Sequence, residues 1–146
     1  MYDSQAFVML NHETFMLTST LLCGYLRIYA ISHGKRSPTR LATLHLPKLQ
    51  SGYYLRTLDS HSSPVHAHPP ENSFFTSVIE SRIQVISASY TGPVPGEFRD
   101  YSVFIHNDQL IGIAKSSPSG SILPWHSWGP QYTRFLPQCI PTNWLR

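Results

Sequence analysis

The sequence is poor in charged residues, and its positive charge is dispersed. Asp, Glu, Lys and Arg make up 13% of the 146 residues, which is about half the usual share. The formal net charge is +3, and the closest basic group consists of Lys35, Arg36 and Arg40. A nucleic-acid-binding protein needs a concentrated basic stripe. We therefore expect no nucleic-acid partner and interpret the basic group as a solvated loop.

Cysteine and long apolar runs are scarce as well. Cys23 and Cys139 are far apart, without the spacing of a zinc site or the density of a disulfide framework. We expect two ordinary thiols in a reducing compartment. The uncharged, mostly apolar stretch from Thr14 to Leu26 is shorter than the roughly 18 apolar residues that a membrane span requires. A secretory signal begins with a positively charged segment, whereas this amino terminus carries Asp3. The sequence predicts no membrane partner and a cytoplasmic or nuclear location.

Motifs for nucleotide binding and nucleophilic catalysis are absent from the sequence. There is no glycine-rich phosphate loop and no G-x-S-x-G turn, and neither cysteine has a basic, histidine-bearing sequence context. Glu97, Asp100 and Asp108 could supply paired carboxylates for glycoside chemistry, but turns already account for polar residues there. We predict a protein that is not an enzyme, with no catalytic residue and no cofactor.

A histidine cluster is the best candidate for chemistry. Two imidazoles in an H-x-H pattern lie on one side of an extended strand, where zinc or copper could bind; the cluster is His61, His66 and His68. Asp59 and Glu71 are the nearest carboxylates, and three prolines interrupt the segment. Ordering such a flexible loop would cost much entropy. We predict an exposed loop or insertion at 60–72 without a metal site, with a metal-binding enzyme as the alternative.

The pattern of the remaining chain predicts short strands. With 12 Pro and 8 Gly, chain breaks are frequent, and strand patterns occur at 7–10, 15–17, 24–32, 41–46, 82–90 and 101–105. Leu26, Ile28 and Ala30 alternate onto one face, as a half-buried strand requires. A hairpin is expected across 11–14, and a second one is expected between 101–105 and 110–114. The fold class predicted is all-β, built of antiparallel hairpins in one β-rich domain or domain fragment over 1–146.

The two predicted hairpins indicate an internal repeat. Leu10–Phe15 and Ile105–Leu110 share an apolar, four polar, apolar pattern 95 positions apart, and each is followed by a glycine with an aromatic residue five positions later. Units of this kind build propeller blades of roughly 40 to 50 residues. The chain would then hold a partial β-propeller of roughly three blades. Chance similarity between two hairpins is the alternative.

The segment Pro124-Trp-His-Ser-Trp-Gly-Pro-Gln-Tyr-Thr-Arg134 is rich in rare residues. Around a turn at Gly129 and Pro130, at least one of the two indoles, Trp125 or Trp128, should enter the core and offer its N–H to a backbone carbonyl. Arg134 would stack on an indole or bind the carbonyl groups of the turn. The functional alternative is an aromatic pocket for a sugar, a methylated cation or a peptide.

This segment, as Pro-Trp-x-x-Trp-Gly-Pro-x-x-Thr-Arg, resembles a motif near the carboxyl-terminal part of many F-box proteins from mushroom-forming fungi. Similar segments precede it at Gly24–Tyr29, Leu44–Pro47, Arg82–Ile86 and Tyr101–His106. The resemblance implies a β-rich region that holds a target, joined to an F-box that docks on the Skp adaptor of a cullin ubiquitin ligase.

No segment here shows the Leu-Pro-x-Glu-type opening and amphipathic helices of an F-box. The Skp adaptor is therefore expected as a partner only of a longer form. The functional hypothesis is a non-catalytic protein-recognition scaffold that resembles the substrate-receptor region of an F-box ubiquitin-ligase subunit, with an unknown target protein. A truncated gene product without an independent function is the other alternative.

Overall fold

A computed structural model describes residues 5–62 and 82–137, and within them the chain is mostly β-strand. The elements in chain order are β1 Phe7–Met9, β2 Thr14–Ser19, β3 Tyr25–Ala30, β4 Thr39–His45, β5 Tyr54–Ser62, β6 Ile83–Thr91, β7 Phe98–His106, α1 Asn107–Ser116, β8 Ser121–Leu123, α2 Trp125–Tyr132 and β9 Arg134–Pro137. The prediction of a β-rich fold is confirmed, with two short helices added. Neither of these helices is long and apolar enough to cross a membrane.

Sheet A contains β1, β2, β3, β4 and β8. The first four strands follow one another as antiparallel neighbours, and β8 pairs with β4 in parallel. The predicted first hairpin is therefore confirmed as β1 and β2. Leu26 and Ile28 are fully buried on the inner face of β3, as their alternation predicted. The basic group at Lys35, Arg36 and Arg40 is exposed, as expected, but Arg40 lies in β4 and not in a loop.

Sheet B contains β5, β6, β7 and β9, all paired antiparallel. In β6 the buried residues are Gln84, Ile86, Ala88 and Tyr90, while Ile83 and Val85 share the less buried face. Strand β5 had no sequence prediction, and it includes the first three residues of the range 60–72. The rest of that predicted loop lies outside the described residues.

The two sheets share one hydrophobic core. It joins Leu26 and Leu44 of sheet A to Ile86 and Val103 of sheet B, and it extends to buried residues of both helices. Because each strand alternates its side chains between two faces, one face of each sheet is directed into this core. In the described ranges the strands form these two sheets and no closed barrel.

The predicted second hairpin is wrong, because residues 107–116 form α1 rather than a returning strand. The buried residues of this segment include Asn107, Leu110, Ile111 and Ala114, which have the i, i+3, i+4, i+7 spacing of one helix face. Asp108 in the first turn and Lys115 in the last turn complement the helix dipole. The strand predicted at Leu110 to Ala114 does not fit this helical period.

The predicted repeat of hairpins is wrong for the same reason. Leu10–Phe15 connects two strands, whereas Ile105–Leu110 connects a strand to a helix. The shared polar pattern thus ends in two different local structures. The two sequences diverge after the shared pattern, since Phe15 lies in the mostly buried strand β2 whereas Leu110 lies on the buried face of a helix.

The sandwich of sheets has two different ends. At one end α1 closes the core. The side-chain amide of Asn107 donates to the Leu10 carbonyl oxygen (3.1 Å), and the Asn107 backbone N–H donates to the Arg82 carbonyl oxygen (2.9 Å). We call this the helical end. At the other end residues 46–53, the crossover segment, lead from β4 in sheet A to β5 in sheet B. We call this the crossover end.

Candidate functional site

The Pro124–Arg134 motif folds as α2, with Pro124 as its N-terminal cap residue. The turn predicted at Gly129 and Pro130 is therefore wrong, since both residues lie inside the helix. The prediction of a core indole is confirmed: Trp128 is 1% exposed, and its Nε1–H donates to the His45 carbonyl oxygen (3.0 Å). This bond attaches α2 to the last residue of β4.

The spacing within the motif has a packing reason. A Cβ on Gly129 would lie 2.3 Å from the Trp125 ring, so the absence of a side chain lets that indole lie against the helix backbone. The Gly129 carbonyl oxygen accepts from both the N–H (2.9 Å) and the hydroxyl (2.6 Å) of Thr133. Arg134 donates to the Thr133 carbonyl oxygen (3.3 Å). These contacts give the motif a structural role in holding α2.

The Trp125 indole packs among other aromatic rings. Its centroid is 5.0 Å from that of Trp128 and 5.6 Å from that of Phe135, and Phe135 stacks on Tyr101 at 4.6 Å. Edge-to-face and offset arrangements at these distances are favourable. The half-buried Trp125 therefore contributes to the packing of α2 on sheet B.

Of the residues considered for metal or carboxylate chemistry, the structure describes Asp59, His61, Glu97, Asp100 and Asp108. His61 is exposed in β5 and pairs with Val85, while His66 and His68 lie outside the described residues. No group of three or more His, Cys, Asp or Glu side chains that could hold a metal ion occurs in 5–62 and 82–137. Glu97 lies just before β7 and Asp108 just after it, so these two carboxylates are separated by the length of a nine-residue strand.

A polar cluster that the sequence did not predict lies at the crossover end. The Tyr53 hydroxyl donates a short hydrogen bond to the Glu97 carboxylate and accepts one from Arg99 Nε at 3.2 Å. The Arg99 guanidinium also lies over the Tyr53 ring, 5.4 Å from its centroid, and 3.9 Å from Glu97. We call these three side chains the Tyr–Glu–Arg cluster.

The cluster holds the Tyr53 phenol in its protonated form. Its hydrogen bond to the Glu97 carboxylate raises the pKa of Tyr53 above the usual value of about 10, and burial acts in the same direction. Hydrogen bonding to Arg99 opposes this shift. At neutral pH Tyr53 is thus an O–H donor to Glu97, while Arg99 keeps further N–H groups for another acceptor.

Backbone geometry places Tyr53 beside Glu97. Gly52 has a φ of +91° and packs against Pro93, since a Cβ there would lie 3.0 Å from the Pro93 ring. Pro93 belongs to the loop between β6 and β7, which the Gly92 N–H closes by donating to the Glu97 carbonyl oxygen (2.8 Å). The crossover segment and this loop therefore meet where the Tyr–Glu–Arg cluster forms.

Two hollows flank the crossover segment. The polar hollow, of about 320 Å³, is lined by Lys48, Leu49, Gln50, Tyr53, Arg99 and Tyr101. The thiol hollow, of about 310 Å³, shares Lys48, Leu49, Gln50 and Tyr53 with the polar hollow. The rest of its wall is more apolar and contains one thiol: Leu22, Cys23, Pro47, Ser51, Tyr54, Leu55 and Tyr90. The crossover segment is thus the common wall of a surface with two different chemistries.

Cys23 is paired with a histidine in space. Its Sγ atom lies 3.8 Å from His45 Nδ1 and 3.7 Å from the Gly24 carbonyl oxygen. No histidine is close to either cysteine in the sequence. The missing signal was strand register: β3 pairs with β4 so that Tyr25 faces His45, which brings the residues just before β3 to the end of β4. Cys139 lies outside the described residues.

The turn that carries Cys23 is strained. The Gly24 N–H donates to the Leu21 carbonyl oxygen (2.9 Å), which closes a four-residue turn. Leu22 in this turn has a φ of 57°, in the left-handed region that a leucine rarely adopts, and its side chain is 82% exposed. Such strain clusters at functional sites.

Comparison with known proteins gives no relative for this chain: no protein-family model, no curated protein and no solved structure matches it.

Proposed function

We propose that this chain is a non-catalytic protein-recognition scaffold that binds an extended, acidic peptide segment of a target protein at the crossover end. The observation that carries the proposal is the Tyr–Glu–Arg cluster in the wall of the polar hollow. Tyrosine and arginine are among the residue types enriched at positions that dominate binding energy in protein interfaces. Here both are oriented before any partner arrives.

The charge and shape of the polar hollow favour a carboxylate. Arg99 and Lys48 are the two cations in its wall, and the Arg99 Nη2 atom lies 3.9 Å from Glu97 Oε1. A guanidinium presents five N–H donors in a planar fork that matches a carboxylate. An Asp or Glu side chain of the target would thus bind Arg99 beside the Tyr53 ring.

Apolar groups next to the hollow supply the rest of the interface. Leu22 is 82% and Tyr54 55% exposed, and both line the neighbouring thiol hollow. Exposed apolar side chains rimmed by polar ones mark protein-interaction surfaces. A peptide that crosses the shared wall at Leu49 and Gln50 would bury apolar surface on one side and pair a charge on the other.

The resemblance of the α2 motif to fungal F-box proteins supports the same class of function. By that resemblance, the chain corresponds to the target-binding region of a ubiquitin-ligase subunit in the cytoplasm or nucleus. Its two sheets would correspond to blades of a propeller-like array in a longer relative. The Skp adaptor would bind the F-box of such a relative, and we expect the 146-residue chain alone not to co-purify with it.

The test is selection of peptides from a random display library on the purified chain, followed by fluorescence anisotropy of the enriched peptides. Enriched sequences should contain an acidic residue. Arg99→Ala should weaken their binding about tenfold, as loss of a residue central to an interface does. Replacing the peptide's acidic residue by its amide should weaken binding by a similar factor.

A matched control exists in Arg56. Its guanidinium also lies over an aromatic ring, 5.3 Å from the centroid of Phe98, but it lines neither hollow. Arg56→Ala should leave peptide binding within about twofold, because it removes only an exposed charge away from the interface. Equal losses for the two arginine variants, or enrichment of peptides without acidic residues, would contradict the proposal.

A further inference from the structure

We infer that Cys23 and His45 form a covalent ligand site that captures an apolar α,β-unsaturated carbonyl compound in the thiol hollow. This inference does not depend on peptide binding, because Cys23 and His45 are not part of the Tyr–Glu–Arg cluster, although the peptide would also contact Leu22 and Tyr54 of the thiol hollow. The function is stoichiometric capture rather than turnover. Three observations carry it: the sulfur–imidazole pair, the restraint of that pair, and the wall of the hollow.

The first observation is the pair itself. Cys23 Sγ lies 3.8 Å from His45 Nδ1, within reach for a thiol that donates to an imidazole nitrogen. A cysteine thiol beside a base is the arrangement that activates a sulfur nucleophile. With the ring proton on Nε2, Nδ1 is the acceptor. Cys23 is partly exposed in the structure, so a small molecule can approach the sulfur from the hollow.

The second observation is that both partners are held in place. The Tyr25 ring stacks on the His45 imidazole at 6.0 Å, and the backbone carbonyl of His45 is bonded to Trp128. On the sulfur side, Cys23 stands between Leu22 and Gly24, which both have positive φ. The sulfur and the nitrogen therefore keep their separation without having to order flexible side chains on binding, which favours reaction.

The third observation is the apolar wall. The thiol hollow of about 310 Å³ is lined by Leu22, Leu49, Leu55, Tyr54 and Tyr90 beside the sulfur. The Tyr90 hydroxyl is already bonded to the Pro47 carbonyl oxygen (3.0 Å), and burial raises the pKa of that phenol. Tyr90 thus remains neutral and presents its ring. Such a wall favours an alkyl chain over a polar group.

The chemistry is a conjugate addition that balances without a further reactant. The Cys23 sulfur forms a bond to the β-carbon of the ligand, and the carbon–carbon π electrons move toward the carbonyl oxygen. His45 Nδ1 takes the thiol proton. The proton then moves from the imidazolium to the α-carbon of the ligand, which restores the neutral imidazole. The addition has no leaving group and needs no oxidant or reductant.

The experiment measures alkylation of both cysteines in the same full-length chain by peptide mass spectrometry. The probes are pentyl vinyl ketone and methyl vinyl ketone, which share the reactive group and differ in the alkyl chain. Cys139 is the second thiol of the chain and is compared in the same sample. We expect Cys23 to react about tenfold or more faster than Cys139, as assistance from a positioned base allows. Pentyl vinyl ketone should show the larger ratio.

Two kinds of variant separate the base from the hollow. His45→Asn and His45→Gln should each lower the Cys23 rate about tenfold with both ketones, because they remove the proton acceptor. Tyr54→Ser should lower only the preference for the pentyl ketone, because it shortens the apolar wall. Arg99→Ala, which disables the proposed peptide site, should leave both rates unchanged. Failure of peptide binding is thus distinguishable from failure of this inference.

The inference is overturned if Cys23 and Cys139 react at equal rates in the folded chain. It is equally overturned if both His45 variants keep the original rate. Circular dichroism establishes that each variant is folded, and guanidinium-unfolded protein provides the rate of each thiol without structure. A Cys23 rate that is unchanged by unfolding would also contradict the site.

Discussion

The helical end and the crossover end of the two-sheet core differ in how far their polar and apolar side chains are buried. At the helical end, Asn107 and Leu110 are fully buried, and the Asn107 amide bonds a carbonyl 97 positions away in the chain. At the crossover end, Leu22 is exposed in a left-handed conformation, and the Tyr–Glu–Arg cluster faces a hollow. The helical end also has a hollow, of about 340 Å³, beside His106 and Arg134.

The difference separates residues that stabilise the fold from residues that are free for another role. Burial of apolar surface and bonding of buried polar groups lower the free energy of the folded state. An exposed leucine with positive φ does the reverse. If this comparison is right, substitutions at the helical end reduce stability, and selected substitutions at the crossover end leave it unchanged or increase it.

The largest effect is expected for Leu110→Ala at the helical end. Leu110 is fully buried in the shared core, and removing such a side chain costs about 2–5 kcal/mol of unfolding free energy because a cavity remains. Urea unfolding followed by circular dichroism measures it. The neighbouring exposed Gly112→Ala is the control, with a small gain from helix propensity of up to about 1 kcal/mol. A change no larger than that of the Gly112→Ala control would break the comparison.

The next effect tests which part of the crossover end belongs to the fold. Gly24 has a φ of +82°, and a Cβ there would lie 2.2 Å from the Leu55 side chain. Gly24→Ala should therefore lower the unfolding free energy by about 2–4 kcal/mol, from backbone strain and overpacking together. Gly34 has a similar φ of +88° with nothing within 4 Å.

Gly34→Ala is the matched control for Gly24→Ala. It carries the backbone cost alone, about 1–2 kcal/mol. Urea unfolding of both variants measures the difference, which isolates the overlap with Leu55. Equal losses for the two glycines would mean that the turn at Gly24 moves freely relative to sheet B, and the pair of hollows would then have no fixed shared wall.

The sequence predicted the elements whose signals are local. The alternation of Leu26 and Ile28 identified β3, and the rarity of the Trp125–Trp128 pair identified a buried indole with a bonded N–H. In α1 the helical spacing of Leu110, Ile111 and Ala114 was present in the sequence as well. The same segment also fits an apolar, polar, apolar pattern, which predicted a hairpin strand instead of a helix.

The candidate site could not be predicted in the same way, because it depends on register and crossing. Tyr53 and Glu97 are 44 positions apart, and only the meeting of the crossover segment with the β6–β7 loop brings them together. Cys23 and His45 are joined by the pairing of β3 with β4. The positions of the two strands in the sequence do not predict this contact, because it also depends on the register between them.

A third, smaller effect is expected for Asn107→Ala. The variant removes the amide that donates to the Leu10 carbonyl oxygen and leaves that acceptor without this donor in a buried site, which costs about 1–3 kcal/mol. Urea unfolding measures it. Asp108→Ala, one residue along and exposed, should change stability by less than about 1 kcal/mol through the helix dipole. Similar stability losses for the two variants would show that the buried Asn107 amide contributes no more to the helical end than an exposed residue does.

The smallest effect has the opposite sign and tests the comparison most directly. Leu22→Asn places a residue that tolerates left-handed backbone at a φ of 57°, and it removes an 82% exposed apolar side chain. We expect the unfolding free energy to rise by up to about 1 kcal/mol, measured as a shift of the urea midpoint at constant slope. Leu21→Asn in the same turn, without positive φ, should give no gain. A stability loss at Leu22 as large as that at Leu21 would show that this leucine packs for the fold, and the strained turn would then no longer indicate a function for Cys23.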